Sequence, residues 1–304
     1  LDYHLDSEND PSPAVRSNYG QYFPQLTWLD EEWARARVEN IFGGTRRTTL
    51  EKSAWSAFLY FCRPGTNMLN LLELAYRYAV EHVALLPDET ADGFDQGTRL
   101  AQHVITYYVW GSLEKNNLED MLSEFFENAD DRLRSEAIEY AGKFTDGCPN
   151  EERQSLSSRL THLWGARRTV VEEAPDNCNF ELEISAFGSW YVSDVFDEDW
   201  SIRQLAWVLQ SSKKVRSAHK VVKKLANCSD KNMSTALACL KSMMEGDSEG
   251  WEISSWREDV SHLLRRCLDS ESPDLSAQAE DVVHRLGARG LSEHRSLLTE
   301  ADSQ

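Results

Sequence analysis

The chain has 304 residues, with 51 acidic against 32 basic side chains and a formal net charge of −19 at pH 7. Its 41% hydrophobic and 27% charged content is that of a folded globular protein, not a disordered one. The acidic excess argues against general attraction to DNA, RNA or anionic lipid, whose charge it would repel. At this length one compact core is stretched, so two domains or one extended stack of repeats is expected.

Helical periodicity dominates and strand alternation is almost absent. The spacing predicts helices over 13–23, 31–42, 49–62, 67–86, 97–110, 117–128, 131–145, 150–171, 180–194, 199–211, 214–227, 231–245, 254–269, 274–287 and 291–299. The prolines fall mostly between these segments, as punctuation. The acidic, glycine-containing stretch 88–97 is the longest loop signal. It is the expected joint between an N-terminal block (1–87) and the remaining helices (98–304).

The first helix start, Ala14-Val15-Arg16-Ser17-Asn18-Tyr19, follows Asp10. A similar unit, Arg132-Leu133-Arg134-Ser135-Glu136-Ala137, follows Asp130, and a third, Ser201-Ile202-Arg203-Gln204-Leu205-Ala206, follows Asp199. Each Asp is an expected N-cap, because its carboxylate can accept orphan backbone N–H groups at a helix start. Weaker copies begin at Met233 and Leu275, where Ser replaces Arg. Counted from Val15 the frame recurs after 118, 69, 31 and 42 residues. The first two gaps are near three and two units of helix-pair length.

These units resemble the HEAT-like repeat family. The resemblance implies an all-α, irregular HEAT/armadillo-like α-solenoid, here of about 14 to 15 helices. It also implies a ladder between repeats made by Asp10 and Arg16, Asp130 and Arg134, and Asp199 and Arg203. A second likeness is narrower. The opening from Asp10-Pro11-Ser12-Pro13 to Gly20, then Leu26-Thr27-Trp28-Leu29-Asp30-Glu31-Glu32-Trp33 and Ile41-Phe42, is similar to large multidomain bacterial proteins. In those, a helical C-terminal region follows a P-loop NTPase or sirtuin-like effector, often linked to phage defence. The Leu at position 1 fits a piece of such a larger protein.

Signals of catalysis are scarce. No Gly-rich loop leads into Gly-Lys-Ser/Thr, and Gly142-Lys143 is followed by Phe144, which has no hydroxyl for a metal. Gly-x-Ser-x-Gly and His-Glu-x-x-His do not occur, and the eight histidines are dispersed. His103, on an apolar helix, reads as a hydrogen-bonded core residue. The acidic group Asp194, Asp197, Glu198 and Asp199 lacks the Gly and terminal Glu of a calcium loop and reads as a solvated turn. No cofactor and no metal are expected. The six cysteines form no Cys-x-x-Cys pair and mostly sit in apolar helical patterns, which suits free thiols in a reducing cytoplasm. The chain shows no apolar run of membrane-spanning length.

One cationic feature stands against the acidic background: Lys213, Lys214, Arg216, Lys220, Lys223 and Lys224. With Val215, Ala218, Val222 and Leu225 on the other side, the charge projects along one helix flank, as a docking stripe or an ordinary solvated face. Arg46-Arg47 and Arg167-Arg168 are candidates to extend it. Of the ten tryptophans, Trp251, beside Gly250, is the candidate exposed contact anchor. The expected function is a non-catalytic interaction or sensing region whose partner is a protein or another domain of the same polypeptide. The competing expectation is an enzyme resembling the HEAT-like alkylpurine DNA glycosylases, with Trp190, Asp194 and Trp200 as counterparts by residue type. A structural spacer is the third.

Overall fold

A computed structural model describes residues 1–44, 47–86, 95–175, 177–247 and 254–301. Every regular element among the described residues is helical, so the protein is all-α. Packing divides the chain into two compact units, Leu1–Ala141 and Gly142–Gln304. The division falls between residues 141 and 142, outside the expected joint at 88–97. Its 88–94 portion lies outside the described residues, and Asp95, Gln96 and Gly97 open a helix of the first unit.

The first unit contains α1 (Asp2–Leu5), α2 (Pro13–Gln21), α3 (Phe23–Leu29), α4 (Glu31–Phe42), α5 (Thr49–Phe61), α6 (Thr66–Leu71), α7 (Glu73–Glu81), α8 (Gln96–Val109), α9 (Ser112–Lys115) and α10 (Asp120–Asn128). It ends inside α11 (Asp131–Lys143). Several of these helices start where a short polar side chain takes an orphan N–H. Asp30 accepts from Trp33 N (2.9 Å), Asp95 from Thr98 N (2.8 Å) and Asp130 from Leu133 N (2.8 Å). Thr48 and Glu51 form a capping box at α5. α2 and α5 pack backbone to backbone: a Cβ on Gly20 would overlap the Ala54 carbonyl, so only glycine allows this approach. The aromatic core follows. Phe23 meets Phe42 edge-on (4.8 Å between ring centres), Phe42 meets Trp55 and Phe58, and Trp55 meets Tyr76 (5.1 Å).

The second unit holds α12 (Asn150–Glu173), α13 (Glu181–Ser185), α14 (Gly188–Tyr191), α15 (Glu198–Ser211), α16 (Ala218–Ala226), α17 (Met233–Gly246), α18 (Arg257–Leu268), α19 (Pro273–Ala288) and α20 (Ser296–Ala301). Trp164 of α12 packs on Phe187 (4.5 Å), Trp190 and Trp207, so its first layers are built around large aromatics. Beside them the buried Arg167 guanidinium grips the fully buried Glu183 carboxylate at 2.6 and 3.2 Å. Such a bidentate pair compensates the desolvation of both charges, and loss of either partner would leave the other uncompensated. Further along, α15 packs on α17, α16 on α18, and α18 on α19.

Candidate interaction surface

α15 ends at Ser211, and the chain turns through Lys213 (φ 57°) and Ser217 (φ 59°) before α16 begins. Both are non-glycine residues in the left-handed region, a costly conformation. Ser212 Oγ donates to the Lys214 carbonyl (2.6 Å), and Arg216 N donates to the Ser185 carbonyl (2.8 Å), which anchors the turn to α13. α16 then buries Val221, Val222, Leu225 and Ala226 and exposes His219, Lys220 and Lys223. Its C-terminal end is held from α18, where Arg266 donates to the Ala226 carbonyl (2.9 Å) and to Asp230 (2.7 Å). A guanidinium at that position also complements the negative end of the helix.

The basic flank is thus divided in use. Lys213 pairs with Glu245 (2.9 Å) and Lys214 lies 3.9 Å from Glu181. Lys224 donates to the Ser193 carbonyl (2.6 Å) and to Asp194 (3.2 Å), and its ammonium stands 5.7 Å from the centre of the Tyr191 ring. Lys220 and Lys223 remain exposed. Of the basic pairs, the described members are engaged within their own units. Arg47 lies over the Trp55 and Tyr78 rings of the first unit and donates to the Ala75 carbonyl (2.5 Å). Burial there pushes its pKa down to about 10. Arg168 pairs with Glu172 and packs on Trp207, while Arg167 is taken by Glu183. Arg46 and Trp251 lie outside the described residues.

The hydrogen bonds described for Asp10, Arg16, Asp130, Arg134 and Asp199 run to partners outside an Asp–Arg ladder, while the charge of Arg203 still acts on Asp199. Arg16, buried, donates to the Asn40 and Leu5 carbonyls, and Asp10 accepts from His4 and from Ser12 N. Arg134 donates to the Ala129 carbonyl (2.6 Å) within its own turn. Asp199 does not cap α15. Asp197 does so: it directly precedes the first helical residue and accepts from Trp200 N, three residues on (2.9 Å). Asp199, the second residue of the helix, accepts instead from Lys231 and Asn232 (both 2.8 Å). The Lys231 hydrogen bond, then that from Asn232, holds its carboxyl below the usual carboxylate range. Arg203 is exposed.

The residues set against the glycosylases are not presented as a site. Trp190 is fully buried and stacks on Phe196 (5.8 Å, 5° between planes). Trp200 packs on Phe187 and Phe196, and Asp194 faces Lys224. Within the acidic group, Glu198 accepts from Ser229 N, Ser229 Oγ and Asn232. Among the described residues, no three His, Cys, Asp or Glu side chains are arranged to hold a metal. All six cysteines are free, and burial pushes the Cys62 and Cys239 thiols up to about 12.

Periodicity alone does not reveal a small cleft of about 230 Å³ between α17 and α19, lined by Lys241, Met244, Glu245, Arg285, Ala288 and Arg289. Its side chains are spread over some fifty positions, so only the fold gathers them. Compared with protein-family models, curated proteins and solved structures, the chain shows no significant match. No helix among the described residues is long and apolar enough to cross a membrane.

Proposed function

We propose that this chain is a non-catalytic protein-interaction region built of irregular HEAT-like helix pairs, and that it serves a larger, bacterial polypeptide of the phage-defence type. The observation that carries the reading is the spacing of polar contacts in the second unit. Lys231 to Asp199, Asn232 to Asp199, Arg266 to Asp230, Arg266 to Ala226 and Arg289 to Met244 join positions 32, 33, 36, 40 and 45 apart. Those separations are close to one helix pair of a HEAT or armadillo array. They act between helices that also pack in alternation, α15 on α17 and α16 on α18. A stack of this kind leaves helix faces uncovered, and α16 places exposed cations on one of them. The full burial of Trp190 favours this reading over a base-binding enzyme, which needs accessible aromatics.

A photo-crosslinking residue in place of Lys220 tests the proposal, with the same residue in place of the exposed Arg153 of α12 as control. In the source cells, position 220 should give a discrete protein adduct that fades as salt is raised to about 0.5 M, where exposed charges are screened beyond a few ångströms. Identical adducts from both positions, or none from 220, would count against an interaction surface on α16.

A further inference from the structure

We infer that the cleft between α17 and α19 is a docking site for the carboxylate side chains of an acidic protein segment. This rests on the interaction reading above and locates its charged anchor. Four cations gather at the cleft: Lys241, Arg285 and Arg289 line it, and Lys213 reaches its rim from the α15–α16 turn. They are met by two carboxylates. Glu245 pairs with Lys213 (2.9 Å), and Asp281 pairs with Arg285 (2.9 Å) and Lys241 (3.4 Å). Arg289 is structural, since it donates to the Met244 (2.6 Å) and Asp247 (3.2 Å) carbonyls at the end of α17. It thereby neutralises the negative helix terminus that would otherwise repel an anion at this place.

The ligand class follows from size and charge pattern. A cavity of about 230 Å³ is below the roughly 300–1,000 Å³ of pockets that enclose whole small molecules, but it admits one or two side chains. Glu245 and Asp281 interrupt the row of cations. A nucleic-acid backbone, charged at every step, would meet both carboxylates. A peptide spaces its carboxylates by whole residues and can face Lys241 and Arg285 while avoiding them. The guanidinium of Arg285, about half exposed, still has donors beyond the one given to Asp281 and matches a carboxylate in bidentate geometry. The field of the cluster is evident at Glu245. Its hydrogen bond from Lys213, and then the charges of Lys213, Arg285 and Lys241, hold its carboxyl below the usual range.

The probe is a fluorescein-labelled ten-residue peptide of alternating Glu and Gly, titrated with the full chain and followed by anisotropy. The wild type should bind it saturably at about 50 mM salt and more weakly at about 200 mM. Lys241→Ala with Arg285→Ala should weaken binding at least about fivefold, and Arg285→Glu alone should do the same. Arg153→Ala, at an exposed position of α12, should leave it unchanged. Equal affinity of the cleft variants and the wild type overturns the inference, as does absence of saturable binding by the wild type. If only Lys220→Ala with Lys223→Ala loses the peptide, the cleft is excluded while the interaction reading stands, with α16 as its site. A single-stranded ten-nucleotide probe bound as tightly through Lys241 and Arg285 would overturn the choice of an acidic protein.

Discussion

His103 shows how one buried side chain sets a pH dependence. Its Nδ1 lies 2.7 Å from the Tyr76 hydroxyl, which is 3.2 Å from that of Tyr107, and Tyr107 in turn receives a hydrogen bond from Gly65 N (3.3 Å). Burial drives its pKa down to about 4, against a raising contribution from the Cys62 backbone and a further lowering by Arg99. Tyr76 and Tyr107 are themselves pushed upward, chiefly by burial, and stay neutral. The folded state therefore holds neutral imidazole, while the unfolded chain takes up a proton near pH 6.5. The benefit of keeping His103 neutral is complete above pH 6.5 and is lost as pH falls from there toward 4, a change of roughly 3 kcal/mol. Urea midpoints of the wild type and His103→Gln at pH 7, 5.5 and 4.5 provide the check. The variant is less stable at pH 7 because it loses fit and its Tyr76 partner, but its deficit should shrink toward pH 4.5. His294, also lowered chiefly by burial, is present in both proteins and cancels from the difference. A deficit constant across the range would refute a buried neutral His103.

At the scale of elements, the two candidate caps of α15 make a clean contrast. Asp197→Ala removes the acceptor of Trp200 N and should cost about 1 kcal/mol. Asp199→Ala removes the bridge to Lys231 and one of the acceptors of Asn232, whose amide keeps Glu198, and should cost less, within the range of up to about 1 kcal/mol for surface pairs. Equal losses in thermal denaturation would return the cap to Asp199. The sequence carries Asp197, Glu198 and Asp199 together, and composition cannot say which begins the helix; only the Trp200 N–H does. Similar limits explain other departures. The segment 67–86 reads as one helix, yet Leu72 (φ −107°, ψ 19°) separates α6 from α7, and no Gly or Pro marks the break. Pro24 reads as punctuation but sits in the first turn of α3, where its missing N–H is harmless. The segment 214–227 begins as a helix only at Ala218, after the left-handed Ser217. By contrast 31–42 coincides with α4, because Asp30, two following glutamates and Gly43 are all visible as start and stop signals. The surface is harder to read than the helices. Six cations within twelve residues look like one stripe, but Glu245, Glu181 and Asp194, which pair with three of them, are distant in sequence.

For the whole molecule the governing quantity is the charge of −19, set against how few cations the basic flank leaves exposed and without an ion pair. Each phosphate neutralised by a protein adds about 0.9 to the slope of log affinity against log salt, and binders making 6–10 contacts show correspondingly steep slopes. Lys213, Lys214 and Lys224 are already near carboxylates, which leaves Lys220 and Lys223 as the exposed pair of the flank. Two such contacts support a slope of about 2, and the long-range field of the chain opposes even those. A short duplex titrated with the purified chain should therefore show no measurable binding at about 150 mM salt, and at most weak, sequence-independent binding near 20 mM. A measured slope above about 4 would mean that further cations line a phosphate track. Because Trp190 is enclosed, the result would argue for a nucleic-acid partner without restoring Trp190 and Asp194 as a catalytic pair.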